Sequence, residues 1–192
     1  MPESLLSAIR FRRARRAITN QLITRETLET LLSAAHLAPS CANNQPWRFV
    51  VVDEGPTLIQ VKEHLSGGNY WAKESPAIIA ATSRPDLDCL IPDGREYHLF
   101  ACGLACMNLM LQATELGLIA HPIAGFKQRP IKSILNIPEA FTLIALIILG
   151  HPSKILSHLS EKHQIAESSP RDRVALSQVV SWNTWSIPKD KL

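Results

Sequence analysis

The sequence lacks the features that mark several classes of protein. Charged residues make up only 19% of the 192 and the mean hydropathy is near zero, which excludes a disordered chain and a polycation. The chain has no internal repeat, no low-complexity tract and no Gly-x-Gly-x-x-Gly loop of the kind that binds a dinucleotide pyrophosphate. A net charge of +3 is too small to indicate nucleic acid by itself. With 46% hydrophobic residues, residues 1–192 are expected to form a single domain.

A long hydrophobic run is also missing. The longest unbroken apolar run in the C-terminal half covers residues 143–149, whereas a membrane helix needs ~20 residues. The N-terminus is rich in arginine up to Arg16 and has no apolar run of the kind found in a secretory signal. Glu3 is the only acid before Glu26, so an arginine-rich transit peptide stays open as an alternative. We expect a soluble cytoplasmic protein that has no membrane partner.

The four cysteines show no Cys-x-x-Cys pair. Cys41, Cys89, Cys102 and Cys106 are therefore expected to be reduced thiols of a cytosolic protein, with Cys41 a packing residue. His98 lies four residues before Cys102, so these two and Cys106 share one stripe of a predicted helix. Zinc needs three or four ligands that converge on one point, whereas successive turns of one helix spread their ligands along the axis. We expect no metal, two buried cysteines and a surface or interface histidine.

Apolar periodicity, prolines and glycines predict a mixture of helices and strands. Predicted helices cover residues 3–16, Thr24 to Pro39, 57–65, 93–117 and 130–136, and predicted strands cover 47–52, 77–82, 118–124 and 142–149. These elements do not follow one another as strict βαβ units. An α+β fold is therefore favoured over a doubly wound sheet.

Two regions point to a second subunit. The helix predicted over residues 93–117 is apolar on most of its circumference, and such a helix lies in a core or at a subunit interface. Residues 150–192 form a C-terminal extension that carries Trp182 and Trp185 with little local core. We expect this extension to pack on the partner subunit.

Arginines are concentrated between Arg10 and Arg16. Guanidinium groups bind phosphate through paired charge-assisted hydrogen bonds, so this segment suits a phosphate monoester, a nucleic acid or an anionic surface. Nucleic acid would require basic residues spread along a face with aromatic or polar readers among them, and nothing downstream supplies that pattern. A solvated basic face is the plain alternative.

Two further segments place polar or small residues beside a predicted strand. In residues 38–47, Ser40, Asn43 and Gln45 lie in a loop bracketed by prolines, where neutral donors and acceptors suit a planar heterocycle. Residues 122–126 end a strand with small residues that let backbone N–H groups approach a flat ligand. Taken separately, the first segment is better explained as an ordinary loop, and the second is equally well explained as a plain strand-to-helix turn.

Together these segments resemble the nitroreductase family. Arg12-Arg13-Ala14-Arg15-Arg16 resembles its N-terminal Arg-Arg-Ser-x-Arg/Lys element. Residues 38–47 are similar to its Ala-Pro-Ser-x-x-Asn-x-Gln-Pro-Trp signature, and residues 122–126 resemble its Pro-x-x-Gly-Phe turn. The resemblance covers nearly the whole chain. It implies a mixed central sheet flanked by helices, an FMN cofactor, NADH or NADPH as reductant, and a homodimer that binds FMN at the subunit interface.

The resemblance also implies which residues bind the cofactor. They are Arg12, Arg13, Ala14, Arg16, Pro39, Ser40, Asn43, Gln45, Pro122, Ile123, Ala124, Gly125, Arg171 and Arg173. Arg12, Arg13 and Arg16 would bind the phosphate and ribityl end. Either Arg171 or Arg173 would also contact the phosphate. Asn43 and Gln45 would lie close to the isoalloxazine, and the backbone of residues 124–125 would donate a hydrogen bond toward flavin N5. Ala14 replaces a frequent serine, so one phosphate contact worth ~1 kcal/mol is missing.

The implied reaction passes hydride from NAD(P)H through flavin N5 to a small electron-poor acceptor, nitroaromatic or quinone-like, in ping-pong order and without a catalytic side chain. Two alternatives stay open. One is a protein of the same fold that binds flavin without reductase activity and oxidises or consumes it, and the other is a basic protein that binds nucleic acid. Residues 53–98 match no motif, and substrate choice is expected to lie there. His121 would touch flavin or substrate, or serve as a structural histidine.

Overall fold

Five strands form one sheet at the centre of the computed structural model, which describes residues 4–187. The strands are β1 (Ile18–Thr19), β2 (Arg48–Val52), β3 (Ala77–Ser83), β4 (Ile119–Ile123) and β5 (Thr142–Pro152). Their order is β1-β5-β3-β2, and β4 also pairs with β5. All of these pairings are antiparallel. The α+β class is thus confirmed, while across the described residues the sheet is antiparallel instead of mixed.

Helices cover both faces of this sheet. Within the described residues they are α1 (Ser7–Phe11), α2 (Arg25–His36), α3 (Gly55–Glu63), α4 (Tyr97–Glu115), α5 (Gln128–Ile134) and α6 (Glu161–Ser168), with 3-10 helices at Cys41–Asn43, Gly67–Glu74, Pro85–Leu87 and Leu176–Gln178. α2 begins as predicted, because the Thr24 side chain accepts a hydrogen bond from Thr27 N at 3.2 Å. α2 and α4 pack together on one face, and α3 and α5 lie on the other.

β3 and β5 form the middle of the sheet because their side chains are buried on both faces. Every residue of β3 is buried. Successive side chains of a strand point to opposite faces. Ile79 and Ile147 therefore join the apolar layer under α2 and α4, whereas Ile78 and Ile148 join the layer under α3 and α5. This double coverage accounts for the continuous apolar runs that predicted the strands.

The helix predicted over residues 3–16, whose first residue lies outside the described residues, is wrong in its length. α1 is short, and the chain after it leaves the helical conformation. The reason is that backbone groups of this segment bond to distant parts of the fold instead of to one another. The carbonyl of Arg15 accepts a hydrogen bond from His121 Nδ1 at 2.9 Å, and the amide of Arg16 donates to the Glu167 carboxylate. Residues 12–16 thus form an extended segment, which we call the strap.

α4 begins at Tyr97, later than predicted, and one of its faces is not covered by any other part of residues 4–187. Phe100 and Met107 are exposed on that face and Leu104 is half-buried; we call these three residues the α4 stripe. The opposite face packs against α2 and the sheet. His98, expected at a surface or an interface, is instead 2% exposed.

The first part of the C-terminal segment, up to α6, packs on its own chain. The hydroxyl of Tyr70 lies 3.1 Å from His163 Nδ1 in α6 and accepts a hydrogen bond from the amide of Ser160. Beyond α6, Trp182 is 83% exposed and Trp185 is 72% exposed. Residues 188–192 of the predicted extension lie outside the described residues. None of the described helices combines the length and apolar character needed to cross a membrane.

Candidate functional site

Residues from the two ends of the chain line one cleft. The extended strap after α1 and the segment after α6 run beside each other. We call the space between them the arginine cleft; its volume is about 200 Å³ and it is lined by Arg12, Arg13, Ala14, Pro170, Arg171, Asp172 and Arg173. The structure therefore brings the predicted phosphate residues of the N-terminal segment to those of the C-terminal segment, with Arg16 outside this lining.

Positive charge accumulates around Arg12 in this cleft. The pKa of Arg12 is lowered, first by burial and then by the charges of Arg171 and Arg173. Within residues 4–187, no hydrogen bond or ion pair engages the Arg12 side chain. Four arginines and one aspartate line the cleft, so its charge is only partly balanced. A bound anion would relieve this repulsion and accept guanidinium hydrogen bonds, as phosphate does.

Two of the arginines hold the cleft in shape. The Arg171 guanidinium donates to the carbonyl oxygens of Arg10, at 3.2 Å, and of Arg12. The Arg13 guanidinium donates to the carbonyl oxygen of Ser169 at 2.7 Å, at the end of α6. Each side chain crosses from one segment to the other. These bonds fasten the strap and the C-terminal segment together.

Arg16 lies toward β4 and His121. Its charge contributes to lowering the pKa of His121 to about 4, although burial is the largest cause. The His121 ring is 4.7 Å from the Trp71 ring, centroid to centroid, and its Nδ1 donates to the Arg15 carbonyl. His121 is thus a buried, neutral histidine that anchors the strap, as a structural role predicts.

The loop of residues 39–45, which we call the signature loop, has an unusual backbone. Ala42, Asn43 and Gln45 have φ values of 47°, 58° and 51°, in the left-handed region that non-glycine residues avoid. Ser40 stabilises this conformation because its Oγ accepts a hydrogen bond from the Gln45 amide at 2.9 Å. The Gln45 side chain in turn donates to the Asn43 carbonyl at 2.6 Å. Strain of this kind is concentrated at functional sites.

A disulfide between Cys41 and Cys89 ties the signature loop to the loop before α4. The expectation that all four cysteines are reduced, and that Cys41 serves only for packing, is therefore wrong. The cause is strand pairing. Arg48 of β2 pairs with Thr82 of β3, and the two cysteines lie equally far along the chain from that pair. The register of β2 with β3 is the signal that predicts this disulfide, and the sequence contains no motif for it.

The other two cysteines behave as predicted. Cys102 and Cys106 are free and buried in α4. Burial raises the pKa of Cys102 to about 11 and that of Cys106 to about 12. Both are therefore neutral thiols that pack in the core.

The signature loop and α4 enclose a second cavity, of about 320 Å³. Its lining consists of Pro39, Ser40, Cys41, Tyr97, Phe100 and Leu104. Two members of the α4 stripe thus face the predicted ring-binding loop. The signature loop and the arginine cleft line different cavities of the chain.

The predicted turn follows β4 and is fixed by a residue that sequence reasoning missed. Pro122 and Ile123 end the strand, and Gly125 comes two residues after it. The Gly125 carbonyl accepts hydrogen bonds from Ser66 N at 2.9 Å and from Asn69 Nδ2 at 2.8 Å. A Cβ at this position would lie 2.6 Å from Asn69 Nδ2, so only glycine fits without displacement. Asn69 lies in the region for which no motif was found.

Comparison with known proteins identifies the relatives of this chain. The model of the nitroreductase family matches the chain in two overlapping segments, residues 9–69 and 57–151. An NADH dehydrogenase of Thermus thermophilus is 27% identical over 203 residues, which cover 89% of this chain and 92% of that protein. A 5,6-dimethylbenzimidazole synthase of Rhodospirillum rubrum is 25% identical over 192 residues, covering 86% of each.

A crystal structure described as an oxidoreductase containing FMN is similar over 97% of this chain and 96% of its own, with a TM-score of 0.85 and 30% identity. The family model alone covers well over half of the sequence and includes the strap, the signature loop and the turn after β4. The chain therefore belongs to the nitroreductase family.

Proposed function

We propose that this protein is an FMN-dependent oxidoreductase that passes hydride from NADH or NADPH to a small electron-poor acceptor, such as a nitroaromatic or a quinone, in ping-pong order. The observation that carries the proposal is the arginine cleft, where burial and two neighbouring arginines lower the pKa of Arg12. Such a cleft fits the phosphate of FMN, and a solved relative of similar length contains FMN. FMN, when bound, would supply the hydride chemistry at its N5 atom.

The phosphate end would be bound by the residues that already meet in the cleft. Arg12 would donate to the phosphate, with Arg171 or Arg173 supplying a second charge. Arg13 would keep the cleft in place through its bond to Ser169. Arg16 would lie nearer the ribityl chain. Ala14 offers no hydroxyl, so FMN would be held by charge more than by neutral hydrogen bonds.

The ring end would be bound by the signature loop and the turn after β4. The amides of Asn43 and Gln45 would bond to ring carbonyls and nitrogens. Backbone N–H groups of Ala124 and Gly125 would donate toward N5, because Asn69 fixes that turn. The remaining ring contacts would come from Pro39, Ser40, Pro122 and Ile123. Backbone donors position the ligand without exchanging protons, so no side chain needs to act as an acid or a base.

A complete site would need two copies of the chain. The arginine cleft and the signature loop line different cavities, although one FMN would have to touch both segments. A homodimer in which each cofactor lies between subunits meets this requirement. The α4 stripe and the exposed tryptophans of the C-terminal segment support it, because both are apolar surfaces that the described part of the chain leaves uncovered.

Separate half-reactions test the proposal. The purified protein should release FMN on denaturation, as identified by chromatography, or bind it when incubated with an excess. NADH or NADPH should then bleach the flavin spectrum without oxygen, and an acceptor added after removal of the nicotinamide should restore it. FAD in the extract, or no flavin after incubation, would contradict the proposal.

The Rhodospirillum rubrum relative supports a second candidate, since its name describes a synthase within the same family. In that case the protein would bind flavin that another enzyme has reduced and would oxidise or consume it with an external oxidant such as dioxygen, instead of accepting hydride from NAD(P)H. The anaerobic step distinguishes the two. FMN that stays oxidised with both nicotinamides would favour the second candidate.

A further inference from the structure

Three potential metal ligands converge at the disulfide. The sulfur atoms of Cys41 and Cys89 and a carboxylate oxygen of Asp88 all lie within 4.8 Å of one another. Asp88 is only 7% exposed. Its Oδ1 accepts a hydrogen bond from the Cys89 amide at 2.9 Å, and the Asn44 side-chain nitrogen lies 3.5 Å from the same oxygen. Its Oδ2 is buried and has no partner among the described residues.

An unpartnered buried carboxylate oxygen is costly unless another group compensates it. No arginine, lysine or histidine within residues 4–187 forms an ion pair with Asp88. The missing partner is therefore a cation or a donor that residues 4–187 do not supply. The two sulfurs that lie within 4.8 Å of an Asp88 carboxylate oxygen indicate which cation fits, because thiolates with one oxygen ligand suit Zn²⁺.

We propose that reduction of the Cys41–Cys89 disulfide creates a zinc site formed by the two thiolates and the Asp88 carboxylate, with water in the fourth position. A thiol or phosphine reductant supplies two electrons, and the sulfurs take up two protons as their bond breaks. Zinc then displaces both protons as the Zn–S bonds form. The disulfide and the zinc site exclude each other, because each uses the same two sulfur atoms.

The backbone already suits this exchange. The two Cα atoms are 5.9 Å apart. Tetrahedral zinc holds two sulfurs about 3.8 Å from each other, given Zn–S bonds of about 2.3 Å, so side-chain rotation alone can open the pair. The pairing of β2 with β3 keeps both loops at the same end of the sheet whether or not the disulfide is present.

The sulfurs are also within reach of solvent. Cys41 borders the cavity of about 320 Å³ beneath the signature loop, and Cys89 borders another of about 250 Å³ beside Gly94 and Tyr97. Both cysteines are half-buried. Reductant and ion can therefore approach, unlike at the buried thiols of Cys102 and Cys106.

The test compares two redox states of the same chain. Thiol titration under denaturing conditions should count Cys102 and Cys106 alone in the oxidised protein, and all four cysteines after treatment with a water-soluble phosphine. Each state is then titrated with Zn²⁺ in competition with a chromophoric chelator. We expect one zinc per chain in the reduced state and none in the oxidised state. In the reduced protein, Co²⁺ should give a thiolate-to-cobalt charge-transfer band in a difference spectrum, in which any bound flavin cancels.

Variants identify the ligands. Cys89→Ser should abolish zinc binding, whereas Cys106→Ala, which removes a cysteine of the core, should preserve it. Asp88→Asn should weaken zinc binding at least about tenfold. Loss of a residue that only hydrogen-bonds to a metal ligand already lowers metal affinity by about 10–100-fold, and Asp88 is proposed as a ligand itself. Asparagine retains the acceptor for the Cys89 amide, so the loop is expected to fold, and circular dichroism checks this.

The proposal is overturned if the reduced wild-type protein binds no zinc, or if oxidised and reduced proteins bind it equally. Unchanged affinity in Cys89→Ser or in Asp88→Asn would also overturn it. None of these readouts depends on flavin or on turnover, so the result is independent of the function proposed above.

Discussion

At the scale of single residues, Arg12 is the side chain whose environment says most about the ligand. Burial and two neighbouring positive charges lower the pKa of Arg12. A bound anion would stabilise its charged form. Arg13 and Arg171 differ from it, because their guanidinium groups donate to backbone carbonyls across the cleft. Arginines that look alike in the sequence thus differ in role: Arg12 offers charge to a ligand, whereas Arg13 and Arg171 hold the two sides of the cleft together.

Arg12→Ala should weaken FMN binding about tenfold to a hundredfold, because a charge-assisted hydrogen bond contributes ~1.5–3 kcal/mol. Titration of the apoprotein with FMN, followed by quenching of flavin fluorescence, measures the change. Arg129→Ala is the matched control, since Arg129 is exposed in α5 and should leave the affinity unchanged. Unchanged FMN affinity in Arg12→Ala, together with weaker and less salt-dependent nucleic-acid binding, would mean that the cleft serves nucleic acid instead.

His121 makes stability depend on pH. Its folded-state pKa of about 4 is lower than the ordinary value of 6.5, so the unfolded chain binds the proton more readily. The contribution of neutral His121 to the free energy of unfolding is therefore fully present above about pH 6.5. It is lost as the pH falls toward 4, and the loss is about 3 kcal/mol at most. Urea denaturation at pH 7 and pH 4.5 measures it. His121→Gln, which still offers a donor to the Arg15 carbonyl, should lose less free energy of unfolding over this interval than the wild type does.

At the scale of elements, the turn after β4 depends on Gly125, because a side chain at this position would not fit. Gly125→Ala would place a methyl group 2.6 Å from Asn69 Nδ2 and break its 2.8 Å bond to the turn. We expect a loss of ~1–3 kcal/mol in the free energy of unfolding, from overpacking and the lost bond. Gly67→Ala is the control, because nothing lies within 4 Å of its would-be Cβ. Equal denaturation midpoints for the two variants would contradict the role of Asn69.

Which elements were predictable from the sequence depends on where their partners lie. β3 and α2 were found because continuous apolar runs and the Thr24 cap are local signals. The extended strap was mistaken for helix because its hydrogen-bond partners, His121 and Glu167, are distant in sequence. Local propensity does not register such partners.

The candidate site shows the same division. Its arginines and the signature loop were found through their resemblance to family motifs. Asn69 was missed, because only the folded turn shows that its amide reaches the Gly125 carbonyl. The bond between Cys41 and Cys89 was missed because strand register brings the two loops together.

At the scale of the whole molecule, residues 4–187 leave apolar side chains exposed in two places. The α4 stripe lies beside the signature loop, and the two tryptophans project from the C-terminal segment. Isolated exposed apolar residues are ordinary, but a stripe next to a cavity is typical of an interface. The predicted homodimer would cover the stripe and complete the site at the same time.

Deletion of residues 175–192 should weaken both the dimer and FMN binding, because it removes Trp182 and Trp185 and the apolar area that they would bury against the partner subunit. Light scattering over a concentration series measures the first effect, and flavin titration the second. As a control, Ile59→Ala removes a side chain that is 61% exposed on α3, on the opposite layer, and should change neither. An intact chain that is monomeric and still retains flavin would contradict the dimer.

The disulfide also gives the chain a closed ring, with consequences for its behaviour under tension. The 48-residue separation between Cys41 and Cys89 encloses β2 and β3, the latter in the middle of the sheet. A force applied to the two termini passes through the sulfur atoms and leaves the enclosed segment slack. The fully stretched oxidised chain is therefore shorter than the reduced one by about 160 Å, at about 3.4 Å per residue. The oxidised protein thus keeps two of its strands on a loop that pulling cannot straighten.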